Sequence, residues 1–121
     1  MMARQQQIGH WGEQVASTFL EEKGLRVMDR NVRTAYGEID LVASCQGVLV
    51  FVEVKARSNL AFGFPEEAIT QKKRNHLLGA IQAYLQAHPE WEGDWRIDVV
   101  AIQGHPGDDN LEIKWFENAI A

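Results

Sequence analysis

Within residues 37–57, GEIDLVASCQGVLVFVEVKAR, four charged side chains interrupt otherwise apolar β-type sequence: Glu38, Asp40, Glu53 and Lys55. Side chains alternate faces along a strand, so Glu38 and Asp40 share one face of theirs. In the following strand Leu49, Phe51, Glu53 and Lys55 share a face. A hairpin closing through Cys45-Gln46-Gly47 lays the far ends of the strands side by side, which brings Asp40 and Glu53 together. Two carboxylates crowded on a largely buried sheet repel each other and lose hydration, and something must compensate them. A divalent cation does so directly: Mg²⁺ accepts one or two carboxylates and completes its shell with water and substrate phosphate. Lys55 reaches the same place, where a lysine orients or deprotonates a metal-bound water or stabilises charge on phosphorus. A salt bridge from Lys55 to Glu53 or Asp40 satisfies the same charges without metal. The strand pattern alone leaves both readings open.

Other residues converge on that point. In IGHWGEQVASTFLEEKG (8–24), helical spacing sets Gly9, Glu13, Ala16 and Leu20 on one stripe, so Glu13 is expected to face the sheet. In EEAITQKKRNHLLGAIQAYLQAH (66–88) the stripe of Leu78, Ile81 and Leu85 projects back through Arg74 and Gln71. That face turns basic near the helix start, where the cluster Lys72-Lys73-Arg74 lies. Arg33 and Arg57 flank the two strands and suit backbone phosphates.

The elements that must position these residues read in the order α-β-β-β-α-β-β. Gly24 stops the first helix, and Pro89 follows the second, whose first turn is expected to carry acids. Strands are predicted at 25–31, 38–44, 48–56, 96–102 and, as an edge strand, 111–116. VLVFVEVKA (48–56) is apolar on both faces, the mark of a central strand. The fold class is α/β, a mixed sheet flanked by helices, in a single domain over 1–121.

Composition bounds the chemistry. The chain has 121 residues, 45% of them hydrophobic, enough for a core without disulfides. A lone cysteine, Cys45, and an N-terminus without an apolar segment point to the cytoplasm. The run VLVFV is too short to cross a bilayer. The net charge of −5 is unevenly spread: residues 1–80 carry 10 basic and 9 acidic side chains, residues 81–121 carry 2 and 8. With cations on Asp40 and Glu53 the N-terminal surface becomes basic, so the total charge does not exclude a nucleic-acid partner.

The pattern of an acid on a helix, then D…E-x-K on a hairpin, then a basic helix resembles the PD-(D/E)XK nuclease superfamily with its restriction-endonuclease-like fold. The closer resemblance is to the YraN-like family of uncharacterised bacterial proteins. It covers nearly the whole chain through G-x-x-x-E-x-x-A (9–16), Asn31-Val32-Arg33, GEIDLVA (37–43), VFVEVKAR (50–57), Phe62-Gly63 and RIDVVAI (96–102). The resemblance implies an αβββαβ core and Mg²⁺- or Mn²⁺-dependent cleavage of phosphodiesters. Asp40 and Glu53 would be the metal ligands, with the Val54 carbonyl as a third. Lys55 would be the catalytic lysine, Glu13 the helix-borne acid and Lys73 a phosphate contact. Ile39 stands where the superfamily's name has proline, and Arg74 where the family often has glutamine. The layout is also similar to archaeal Holliday-junction resolvases.

The expected function is therefore a metal-dependent endonuclease acting on DNA, branched or structured DNA in repair or recombination above all. Asp40, Glu53, Lys55 and Glu13 would do the chemistry, with Arg33, Arg57, Lys73 and Arg74 on the backbone. The rival is a non-catalytic nucleic-acid-binding protein that keeps the fold. A third reading is a structural partner of another enzyme. A homodimer through the edge strand LEIKWF would supply a second site. Asp98 reads as structural, paired with Arg96 or capping a backbone donor, and the four histidines show no metal spacing. Trp11, Trp91, Trp95 and Trp115 could stack on bases, but their places at element ends favour the core.

Overall fold

The computed structural model describes residues 4–57 and 70–119, with the side chains of the first helix from Gly9 onward. Phe62-Gly63 and the expected start of the second helix at 66–69, with its acids Glu66 and Glu67, lie outside the described residues. The elements are α1 (Arg4–Glu22), β1 (Arg26–Arg33), β2 (Glu38–Cys45), β3 (Val48–Arg57), α2 (Gln71–Ala87), β4 (Trp95–Gln103) and β5 (Glu112–Phe116). The five strands form one sheet in the order β1-β2-β3-β4-β5. Only β3 and β4 pair in parallel, with α2 in the crossover between them. This is the αβββαβ core with an added C-terminal edge strand.

Local chemistry sets the boundaries. Gly24, at φ +97°, ends α1, and the Leu25 N–H donates back to the Leu20 carbonyl. The hairpin closes over two residues, Gln46 (φ +50°) and Gly47 (φ +81°), the left-handed pair that matches the strand twist. Thr70 caps α2, accepting from the Lys73 N–H at 3.2 Å. Lys72-Lys73-Arg74 therefore occupies the first turn of α2. Cations there oppose the helix dipole and concentrate positive potential.

The helices cover opposite faces of the sheet. Ala16 and Leu20 of α1 pack with Leu41, Ala43, Val50, Val52, Val100 and Ile102. Leu77, Ala80, Ile81 and Tyr84 of α2 pack with Ile39, Val42, Leu49, Phe51 and Ile97. The expected stripe Leu78-Ile81-Leu85 packs on this core, with Ile81 fully buried and Leu78 and Leu85 at its edge, but the most buried line adds Leu77, Ala80 and Tyr84. Its backward extension runs through the half-buried Arg74, with the exposed Lys73 beside it, while Gln71 is exposed and donates to Asn75. Gly9 has no packing partner within 4 Å, whereas Gly12 is buried. A Cβ on Gly12 would stand 3.0 Å from the Ala56 Cβ, so the missing side chain is what lets α1 settle onto β3.

All four tryptophans pack against the two cores, Trp11 and Trp115 on the α1 side of the sheet, Trp91 and Trp95 on the α2 side. Asp98 is fully buried in β4. It accepts from Arg96 Nε at 3.0 Å, Arg96 Nη2 at 3.2 Å, Trp115 Nε1 at 2.9 Å and the Asn118 N–H at 2.9 Å. The carboxylate therefore ties the C-terminal strand and turn to the sheet.

Candidate active site

The sheet forks where the charged residues lie. The β2–β3 ladder ends at Leu41↔Val52, yet β2 stays paired with β1 as far as Arg33↔Glu38. In the other direction β3 stays with β4 to Arg57↔Gln103. Past Leu41 the strands part, and the Val54 N–H loses its neighbour. Asp40 Oδ2 takes it up at 2.8 Å. The amide and carbonyl of one strand residue face the same neighbouring strand, so the Val54 carbonyl opens onto this fork as well.

A break in alternation turns Asp40 toward α1. Asn31 has φ +51°. On either side of it Asp29 meets Tyr84 of α2, at 2.7 Å, and Val32 packs on the α2 core. Between them Arg30 donates to Ser17 of α1, at 2.7 Å, and Asn31 hydrogen-bonds Glu13 of α1. Two successive residues thus face α1, and β2 follows: Ile39 and Val42 belong to the α2 side, Leu41 to the α1 side, and Asp40 hydrogen-bonds Glu13. Glu53 and Lys55 lie beyond Leu49 and Phe51 on the α2 side. Asp40 and Glu53 are therefore neighbours, as the hairpin requires, but approach the fork from opposite faces.

The electrostatics are those of crowded acids. Burial, then the charge of Glu53, push the Asp40 carboxyl up to about 8, against the opposing pull of the Val54 N–H. Desolvation raises the Glu13 carboxyl too, although Asn31 and His10 draw it back. Glu13 is 14% exposed, and His10 Nδ1 stands 4.0 Å from it. Two carboxyls within hydrogen-bonding reach share a proton when no cation is present. Lys55 Nζ lies 3.1 Å from Glu53, both well covered, which is the salt bridge that the strand pattern left open. Lys73 stands close to Lys55, and the repulsion of that like charge lowers its pKa.

Of the backbone-binding candidates, Lys73 reaches the fork and Arg57 lies near it, at the end of β3. Arg33 is 81% exposed and pairs with Glu38 at 3.6 Å, on the β1–β2 prong. Arg74 is half-buried in the first turn of α2. Among the described residues no three His, Cys, Asp or Glu side chains stand close enough to hold an ion by themselves. The set Asp40, Glu53 and the Val54 carbonyl nevertheless fits Mg²⁺, which takes few protein oxygens and keeps its waters. Reading the sequence assigned no site role to Gly12, to His10 or to Asn31, although Asn31 stands in the motif Asn31-Val32-Arg33. The i, i+3 spacing of His10 and Glu13 was a usable signal; for Asn31 the one local mark was asparagine's tolerance of the left-handed region.

Fold and fork together define an α/β protein of the restriction-endonuclease-like architecture, with an acid-lined opening in its sheet. Residues 12–102, which span Glu13, Asp40, Glu53, Lys55 and Lys73, match the profile of the uncharacterised protein family UPF0102. A UPF0102 protein of Chlorobium phaeobacteroides strain BS1 is 46% identical over 98 residues, covering 81% of this chain and 78% of its own. One from Syntrophotalea carbinolica is 38% identical over 112 residues, covering 93% and 89%. One from Beutenbergia cavernae is 50% identical over 95 residues, covering 78% and 80%. The chain belongs to this family, the YraN-like one that its motifs resemble. No helix among the described residues is long and apolar enough to cross a membrane.

Proposed function

We propose that the protein is a metal-dependent endonuclease that hydrolyses phosphodiester bonds in DNA, with branched or structured DNA as its substrate. The observation that carries this reading is the Asp40 carboxyl at the fork, desolvated and crowded by Glu53 and Glu13. Such an excess of half-buried acid costs stability unless a cation completes it. Asp40, Glu53 and the Val54 carbonyl would hold Mg²⁺ or Mn²⁺. When bound, that ion would supply an activated water and neutralise charge on the scissile phosphate.

The chain's own residues do the rest. Glu13, held by Asn31, fixes Asp40 and takes up the proton that Asp40 gives up. Lys55 transfers its hydrogen bond from Glu53 to a phosphate oxygen. Lys73 beside it, the first turn of α2 and Arg57 draw the strand into the fork. The cytoplasm, where DNA is met, is the compartment that goes with this reading.

The alternative, a nucleic-acid-binding protein without turnover, is favoured by one observation: Lys55 is already engaged by Glu53 at 3.1 Å. One assay separates them. Labelled single-stranded, duplex, flap and four-way-junction DNA is incubated with the protein and Mg²⁺, Mn²⁺ or EDTA, beside Glu53→Ala as control. Metal-dependent cutting lost in the variant supports the endonuclease. Binding without cutting, indifferent to metal and variant, supports the binder.

A further inference from the structure

The residue that best fits base contact is not a tryptophan. Among the described residues, the large hydrophobic side chains left exposed are Met28 and Tyr36, and Tyr36 is the more open at 64%. Tyr36 sits in the turn between β1 and β2, four residues before Asp40. Thr34 holds that turn in shape. Its hydroxyl accepts from the N–H groups of Tyr36 and Gly37, each at 3.1 Å, and donates to the Gly37 carbonyl at 2.8 Å. The Thr34 N–H reaches the same carbonyl at 2.9 Å.

Bare backbone presses the turn against α2. A Cβ on Gly79 would stand 2.8 Å from the Tyr36 Cβ, and one on Gly37 would stand 3.0 Å from the His76 carbonyl. The root of the tyrosine is thus seated on a glycine of α2 while most of the ring remains in solvent. Folding gains little apolar burial from a ring placed this way, and a smaller residue would close the turn as well. Six residues separate Gly79 from Lys73, about 9 Å along the helix. Lys73 stands close to Lys55 at the fork.

We infer that Tyr36 is a stacking platform for an unpaired nucleobase next to the phosphate held at the fork. The inference rests on the nucleic-acid reading above and adds to it a preference for strands whose bases are free to splay. A pre-held aromatic face suits this role, because every base offers a π-surface and the ring loses little freedom on binding.

The test is anisotropy binding of a short fluorescein-labelled oligo-dT, in EDTA so that it stays intact, against the same strand carrying abasic positions. Wild type should prefer the base-bearing strand, and Tyr36→Ala should bind it about ten-fold more weakly. Tyr36→Phe should bind like wild type, and the salt dependence should be unchanged in all three, since phosphate contacts set it. Tyr36→Trp should show quenched emission when the strand is added. Equal affinity of wild type for both strands, or of Tyr36→Ala and wild type for oligo-dT, would overturn the platform while leaving the nucleic-acid reading intact. Failure of wild type to bind any strand, in EDTA and with Mg²⁺ alike, would sink both. The abasic comparison uses wild type alone, so equal affinity there overturns the platform even if a variant folds poorly.

Discussion

The Asp40 carboxylate accepts the Val54 backbone N–H at 2.8 Å, in the place where a strand partner would otherwise be. One side chain therefore closes the hydrogen-bond account of the parted strands and supplies the most buried acid of the site. Structural and chemical duties compete on that residue, which makes its substitution informative.

Without divalent cation, Asp40→Asn should stabilise the protein at alkaline pH. The wild-type carboxyl titrates at about 8 in the fold against an ordinary value of 3.8. Between those values the folded chain holds a proton that the unfolded chain does not, so wild-type stability falls as pH rises through this window. Asparagine keeps an acceptor for Val54 and removes the charge. Urea unfolding at pH 8 should show a gain of about 1–3 kcal/mol, vanishing below about pH 4. Parallel stability curves for the two proteins would contradict the crowded-acid description.

Asn31→Gly separates backbone from side chain. Glycine keeps the left-handed conformation at φ +51° but deletes the amide that holds Glu13. Global stability should change by less than about 1 kcal/mol. The Glu13 carboxyl should titrate higher, as followed by carboxyl NMR, because a hydrogen bond that lowers its pKa is gone. Asn31→Val, which disfavours that φ, should cost more, about 1–3 kcal/mol.

Gly12→Leu should lift α1 off β3. The Cβ alone meets Ala56 at 3.0 Å, and a longer chain has nowhere to go. Overpacking there is worth about 1–3 kcal/mol, measurable as a lower urea midpoint. Because Glu13 is the next residue, Mn²⁺ binding measured by calorimetry should weaken as well.

Lys55→Ala should leave DNA binding in EDTA within about three-fold of wild type, since one charge among several is lost, yet abolish metal-dependent cutting. Retained cutting would remove Lys55 from the chemistry.

Asp98→Ala should destabilise by about 3–5 kcal/mol, because it strands the Arg96 and Trp115 donors under the C-terminal turn. Hydrogen exchange should show β5 opening first, and nucleic-acid affinity should persist in the folded fraction.

Much of this was legible in local residue order. The periods of the strands, Gly24, the Gln46-Gly47 turn and Pro89 mark the elements within a few residues, and D…E-x-K marks the acids and the lysine. The helix faces were less legible: spacing pointed to Gly9 and Leu78, while packing chose Gly12 over Gly9 and buried Leu77 more deeply than Leu78, because where a helix lands on a sheet depends on the shape of the sheet. The tryptophans were rightly read as core, and the exposed aromatic, Tyr36, drew no notice because exposure is not a local property.

By itself, then, the sequence determined the order of elements, the hairpin and the set of charged residues at its open end, all of which follow from side-chain periodicity and turn chemistry within short windows. Only the tertiary structure decided that β2 leaves β3 at Leu41 and that Asn31 turns Asp40 toward Glu13. It also decided that Lys73 stands close to Lys55 across the crossover. Those relations depend on where separate segments part and meet, and no short window of residues contains both sides of such a contact.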